Sequence, residues 1–167
     1  DVKKFRLSQL TPDARTRAEW VIQEMVRKGF REPYVGQTLR TLPEQREAVR
    51  RGTTGRKQNL SWHLIKRAWD IRDRLPNGNP DPTTRNEPFF RALFETCEEA
   101  EVRNLAYTRD EHGLKKLYIN GGRVWDAGHC EWRKPYGSLL EAIQKEAPWI
   151  LDDEPPADDP DDHALHD

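Results

Sequence analysis

His63, Asp70 and His129, with Asp126 three residues before the last, have the types and order of a hydrolytic metal site. Imidazole is both the commonest metal ligand and the usual acid or base at neutral pH. A catalytic zinc takes three protein ligands from His, Asp or Glu and keeps one position for water, whose pKa the metal lowers to about 7. His63, Asp70 and His129 would supply those ligands to one Zn2+. Asp126, on a chain turning at Gly128, would then reach that water as general base and return the proton to a leaving amine. Spacing alone also allows plainer uses: His63 as a core histidine, Asp70 as a turn cap, Asp126 as the partner of an arginine.

These side chains need elements to position them. Thr11 as N-cap, Pro12 at the first helical position and the apolar face Ala14, Ala18, Val21, Ile22, Met25, Val26 predict a helix that ends before Gly29. Residues 34–39 read as a strand, and Thr41 to Glu44 has capping-box spacing for a helix over 43–51, followed by a polar loop to residue 59. Alternation around Ala68 to Ile71 predicts the strand that carries Asp70, with a Pro- and Gly-rich loop over 73–86 behind it. Asn86 can cap a helix over 87–101 whose apolar face is Phe89, Phe90, Leu93, Phe94, Cys97 and Ala100. Short strands are expected at 104–107, 115–119, 123–126 and 129–133, with Asn120-Gly121-Gly122 as a hairpin turn. Ser138 can cap a last helix through Ala147, its end packed by Trp149. Helices and antiparallel strands mixed without βαβ alternation predict an α+β fold, a small antiparallel sheet with flanking helices.

The chain has 167 residues, enough for one domain over 1–150 and an acidic tail over 151–167 whose composition predicts disorder. The net charge of -1 conceals an asymmetry: the tail carries eight acids and no Lys or Arg, which leaves 28 basic against 21 acidic side chains in 1–150. A basic body suggests a polyanionic partner: nucleic acid, a membrane surface or an anionic cell wall. No aromatic-basic RNA motif or recognition-helix pattern supports nucleic acid. No apolar run approaches the ~20 residues that span a bilayer, so a soluble chain without a transmembrane segment is expected, and no signal peptide is visible. Cys97 and Cys130 read as reduced thiols in or near the core, with a single bridge between them left open. His112, in a polar turn, and His163 and His166, in the tail, read as surface residues.

Beyond spacing, Ser61-x-His63-x-x-Lys66-x-Ala68-x-Asp70 resembles the SxHxxGxAxD signature of the zinc D-alanyl-D-alanine carboxypeptidase and L-alanyl-D-glutamate endopeptidase family, which has the Hedgehog/DD-peptidase fold. Asp126-Ala-Gly-His129-Cys-Glu131 resembles its second signature, and Leu39-Arg40-Thr41 with Gln45 its arginine segment. The three occur in the family's order over residues 35–132. The resemblance implies that His63, Asp70 and His129 bind one zinc and that Asp126 is the base. It further implies that Arg40 stabilises the oxyanion or holds a substrate carboxylate, with Ser61 and Gln45 assisting in substrate binding. The implied activity is hydrolysis of an amide bond in the stem peptides of bacterial peptidoglycan by a monomeric enzyme acting at the wall, in the periplasm or outside the cell. An acid of the Asp type at 126 resembles the endopeptidase branch, phage endolysins included. Two positions depart from the pattern. Lys66 replaces a Gly and would be costly there if φ is positive, although it could also bring a cation to substrate carboxylates. Cys130 replaces an aromatic, as a small hydrophobe or a soft extra ligand. Lys66 motivates the alternative of a non-catalytic, zinc-containing member that binds the wall or a protein partner.

Overall fold

In the computed structural model, residues 6–53, 59–83, 86–118 and 125–155 are described. A 3-10 turn, Leu7–Gln9, precedes α1, Pro12–Arg27, which buries Ala14, Ala18, Val21, Ile22 and Met25 and leaves Val26 exposed. Gly29 follows it at φ 102, a left-handed value that glycine reaches without strain. Then come β1, Tyr34–Val35; α2, Leu42–Arg51; a 3-10 turn, Trp62–Ile65; and β2, Ala68–Arg72. Thr41 and Glu44 form the expected capping box at the start of α2. Helix α3, Glu87–Glu99, is capped by Asn86 and buries the expected apolar face. Strands β3, Arg103–Asn104, β4, Tyr107–Arg109, β5, Lys115–Leu117, and β6, His129–Glu131, lead to α4, Leu139–Glu146, and a helical turn α5, Ile150–Asp153.

The architecture is α+β, with small antiparallel sheets flanked by helices. Four strands run in the order β1-β2-β6-β3, and the register sets Asp70 opposite His129. Because side chains alternate across a strand, Trp69, Ile71 and Cys130 enter one face of the sheet. There they join α1 and α3 in the main core, where truncating Trp69 to Ala would cost about 3–5 kcal/mol. Ala68 packs on the other side, with Leu60, Trp62, Ile65 and the apolar face of α4 in a second core. Buried Arg67 knits the two regions together through Asp13, Glu146 and the carbonyls of Trp132 and Lys134.

Several expectations are corrected. The strand expected over 34–39 is two residues long, although Gly36 and Gln37 continue its hydrogen bonds to Asp70. Lys115–Leu117 pairs with Tyr107–Arg109, a hairpin that the sequence reading did not single out. Asp110 explains this, because its Oδ1 accepts the N–H groups of His112 and Leu114 and Gly113 follows at φ 78, a tight turn written in Asp-Glu-His-Gly. Residues 125 and 126 are not strand, and the Asn120-Gly121-Gly122 turn lies outside the described residues. Trp149 is 64% exposed, and Ile150 seats in the second core in its place. The tail's first residues fold back on α2: Arg46 donates to Glu154 Oε1 at 2.8 Å and to the Asp153 carbonyl at 2.9 Å. Residues 156–167, with His163 and His166, lie outside the described residues. Cys97 and Cys130 are buried free thiols with sulfurs 3.8 Å apart.

Candidate active site

His63 lies in the 3-10 turn Trp62–Ile65, whose start is fixed by Ser61: its Oγ accepts the His63 N–H at 3.2 Å. Ser61 is itself buried, so this cap accounts for a serine here. Lys66 ends the turn at φ 63 and ψ 35, with an exposed side chain. A positive φ at Lys66 is therefore present, and the left-handed closure is what lets the chain leave His63 and enter β2. Asp70 lies on β2, and His129 opens β6 directly across from it.

The approach of β6 to β2 depends on Gly128. A Cβ there would lie 2.2 Å from the Ile71 carbonyl oxygen, and the Gly128 carbonyl accepts the Ile71 N–H at 2.9 Å. Only a residue without a side chain fits this approach. Buried Asn104 fastens the same turn, donating to the carbonyls of Ala127 at 2.8 Å and His129 at 3.0 Å. Within the turn the His129 N–H bonds the Asp126 carbonyl at 3.1 Å, which fixes the base candidate relative to the ligand candidate.

His63 Nε2 lies 3.5 Å and His129 Nδ1 3.6 Å from the same Asp70 oxygen, Oδ1. The ligand atoms of the three residues all fall within 4.8 Å of one another, and the imidazole rings meet edge to face with centroids 5.1 Å apart. Separations of this size exceed an ordinary N–H···O bond and suit donors arranged around a shared ion. Two imidazole nitrogens and one carboxylate oxygen are also a zinc-type donor set, so the residues present fit the metal. His129 Nε2 is engaged elsewhere, 2.8 Å from Glu131 Oε1, which leaves Nδ1 to face Asp70. His63 has no such support, since its Nδ1 is buried without a partner among the described residues.

Electrostatics follow from this packing. Burial opposes charge on His129, but the neighbouring carboxylates of Asp70 and Glu131 outweigh it and push the imidazolium up to about 10. Burial lowers His63, and Asp70 only partly offsets it. Asp70 is held well below the carboxylate range: burial works against ionisation, and the two histidines overcome it. Asp126 goes the other way, pushed up to about 6 by burial and by negative Asp70 and Glu131, against the pull of His129 and Arg40.

Arg40 adjoins this cluster. Its N–H meets the His63 carbonyl at 3.5 Å, and its guanidinium borders a cleft of about 490 Å³ whose walls include Gln37, Glu44, Glu47 and Arg51. Buried Gln45 accepts from Arg40 Nη1 at 2.6 Å. The structure thus brings His63, Asp70, Asp126, His129, Arg40 and Gln45 into one region. Cys130 points away from it, because alternation on β6 sends its side chain into the core while His129 and Glu131 face the other side. His112 is exposed and remote from the cluster's contacts. Trp62, Trp69 and Trp132 are buried and Trp125 half-buried, which makes them packing residues around the ligands' elements.

No family model matches the chain, and no curated protein matches it. Among solved structures, the crystal structure of the Serratia marcescens L-Ala D-Glu endopeptidase ChiX is similar, with a TM-score of 0.50. The chain resembles that endopeptidase in fold. Identity is 21%, over 75% of this chain and 81% of ChiX, so the likeness is one of architecture.

Glu131 stands in the second signature, but its support of His129 is not evident from the motif. The available signal was period-two alternation on a strand, which puts Glu131 on the face of His129. Gln37 carried no signal, since it acts through a hydrogen bond to a side chain three residues away.

Proposed function

We propose that this chain is a zinc peptidase that hydrolyses an amide bond in peptidoglycan stem peptides, on the Hedgehog/DD-peptidase fold. The bond is of the L-alanyl-D-glutamate or D-alanyl-D-alanine type, and the enzyme works at the bacterial wall as a single domain over 1–150, as phage endolysins do. The observation that carries this reading is the convergence of the His63, Asp70 and His129 ligand atoms within 4.8 Å, with Asp126 and Arg40 tied to the two histidines through the main chain. Fold likeness to an L-Ala D-Glu endopeptidase supports the substrate class.

His63 Nε2, Asp70 Oδ1 and His129 Nδ1 would hold the ion. Bound zinc supplies a Lewis acid for the scissile carbonyl and for water. Asp126 takes a proton from the attacking water on its carboxylate and gives it to the departing amine nitrogen as the C–N bond breaks, a task suited to a carboxyl raised toward neutrality. Arg40 donates N–H groups to the oxygen that gains charge. Glu131 keeps the His129 ring in the tautomer whose Nδ1 lone pair faces Asp70.

The non-catalytic alternative rested on Lys66. The exposed Lys66 side chain and the intact ligand cluster beside it favour the catalytic reading, since the departure leaves every ligand candidate in reach of the others. Zinc-loaded protein should release new amino groups from purified peptidoglycan, and Asp126→Ala should reduce that release to background while retaining zinc. Wall binding with zinc and no amine release would favour the alternative.

A further inference from the structure

A guanidinium has five N–H donors in a fixed plane. In Arg40 the Nε–H donates to Gln37 Oε1 at 2.9 Å, an Nη2–H donates to the same oxygen, and an Nη1–H donates to Gln45 Oε1 at 2.6 Å. Three donors are thus spent on two amide oxygens. One N–H on each terminal nitrogen remains, which is the number a carboxylate or a developing oxyanion can accept from two directions. Both clamping residues are uncharged. A Glu at either position would hold the same geometry and cancel the charge; an amide holds the ring and leaves the charge in place.

Gln37 is also tied to the ligand strand. Its main-chain carbonyl accepts the Asp70 N–H at 2.9 Å, while the next glycine along toward the strand, Gly36, donates to the Asp70 carbonyl at 2.7 Å. One residue therefore connects the backbone of a metal-ligand candidate to the side-on edge of the arginine. Gln45 is buried and clamps from α2, so the plane of Arg40 is set from two elements at once.

We propose that Gln37 is the positioning residue for Arg40, a neutral clamp that fixes the guanidinium against the Asp70 strand and keeps its charge available to an anionic group of the substrate. The inference rests on the peptidase reading for what that group is, and on geometry alone for the clamp.

The test compares Gln37→Glu, Gln37→Ala and Arg40→Ala with the unchanged chain, each zinc-loaded and each checked for zinc content and melting temperature. With peptidoglycan as substrate, Gln37→Glu should keep zinc and fold and lose about 10²-fold in kcat with a smaller change in KM, because the neutralised arginine fails chiefly where charge develops. Gln37→Ala should lower kcat and raise KM together, as the arginine is no longer aimed. Equal kcat/KM in Gln37→Glu and the unchanged chain, with Arg40→Ala impaired, would overturn the proposal. A second readout does not need turnover: acetate titrated against each protein, followed at the Arg40 Nε–H resonance. Acetate should shift that resonance in the unchanged chain and at least about tenfold less tightly in Gln37→Glu. If the unchanged chain cleaves no wall, the peptidase reading fails while the acetate result still decides the clamp; equal acetate affinity in both proteins would refute it.

Discussion

His129 Nε2 and Glu131 Oε1 lie 2.8 Å apart on the same face of β6, and that contact turns the other imidazole nitrogen toward Asp70. A carboxylate on the far side of a ligating imidazole fixes its tautomer and raises its basicity. Glu131 is itself buried and held ionised, burial being overcome by the hydrogen bond to His129 and by Arg103 and Arg133. Glu131→Gln should therefore weaken zinc binding by about 10–100-fold with the fold retained, as measured by competition with a chelator of known affinity. Unchanged affinity would remove Glu131 from the site.

Proton release should accompany metal uptake. In the metal-free chain the His129 imidazolium is pushed up to about 10, so it is protonated at neutral pH, and a ligand must bind in its neutral form. Zinc binding at pH 7 should release about one proton from this group, and affinity should rise with pH up to about 10. Calorimetry in two buffers of different ionisation heat reads the proton directly.

Asp126 gives a pH dependence of opposite origin. Its carboxyl is raised from 3.8 to about 6 in the folded chain, so its contribution to stability is fully present below 3.8 and is lost as pH rises through about 6. In the metal-free protein, Asp126→Asn should gain melting temperature relative to the unchanged chain as pH goes from 4 to 7. A difference that stays flat across that range would mean the carboxyl is not held up by burial. With zinc bound the cation would favour the carboxylate, so on the proposed function the acid limb of hydrolysis should have its midpoint at or below about 6.

Backbone geometry supplies a pair of substitutions with opposite signs. Gly128→Ala would set a Cβ 2.2 Å from the Ile71 carbonyl oxygen, and parting β2 from the turn should cost about 1–3 kcal/mol and reduce zinc content together. Lys66→Gly removes a side chain from a left-handed position at φ 63 and should raise stability by about 1 kcal/mol with zinc binding unchanged. Chemical denaturation measures both.

How far the sequence spoke depended on the range of the interaction. Helices α2 and α3 were legible from caps and apolar spacing, and α1 from Pro12 and apolar spacing, because those signals act within one or two turns; the Thr11 side chain itself makes no cap bond to α1. His63, Asp70, Asp126 and His129 were legible because ligand chemistry restricts residue type and the motifs fix their order. The Asp70–His129 register was not, since it joins strands far apart in the chain and hangs on a close approach at Gly128. The 107–117 hairpin was not legible because its turn is built by the Asp110 side chain, which accepts the N–H groups of His112 and Leu114, rather than by paired glycines. Trp149 was expected to pack the end of α4; it is exposed, and Ile150 is the residue seated in the second core.

Mass spectrometry of the fragments released from defined peptidoglycan tests the central claim most directly. The zinc-loaded chain should yield stem-peptide products cut at one amide bond, each gaining one water, and His63→Ala, His129→Ala or a chelator should abolish them. Intact stem peptides after incubation with protein that carries about one zinc per chain would contradict it.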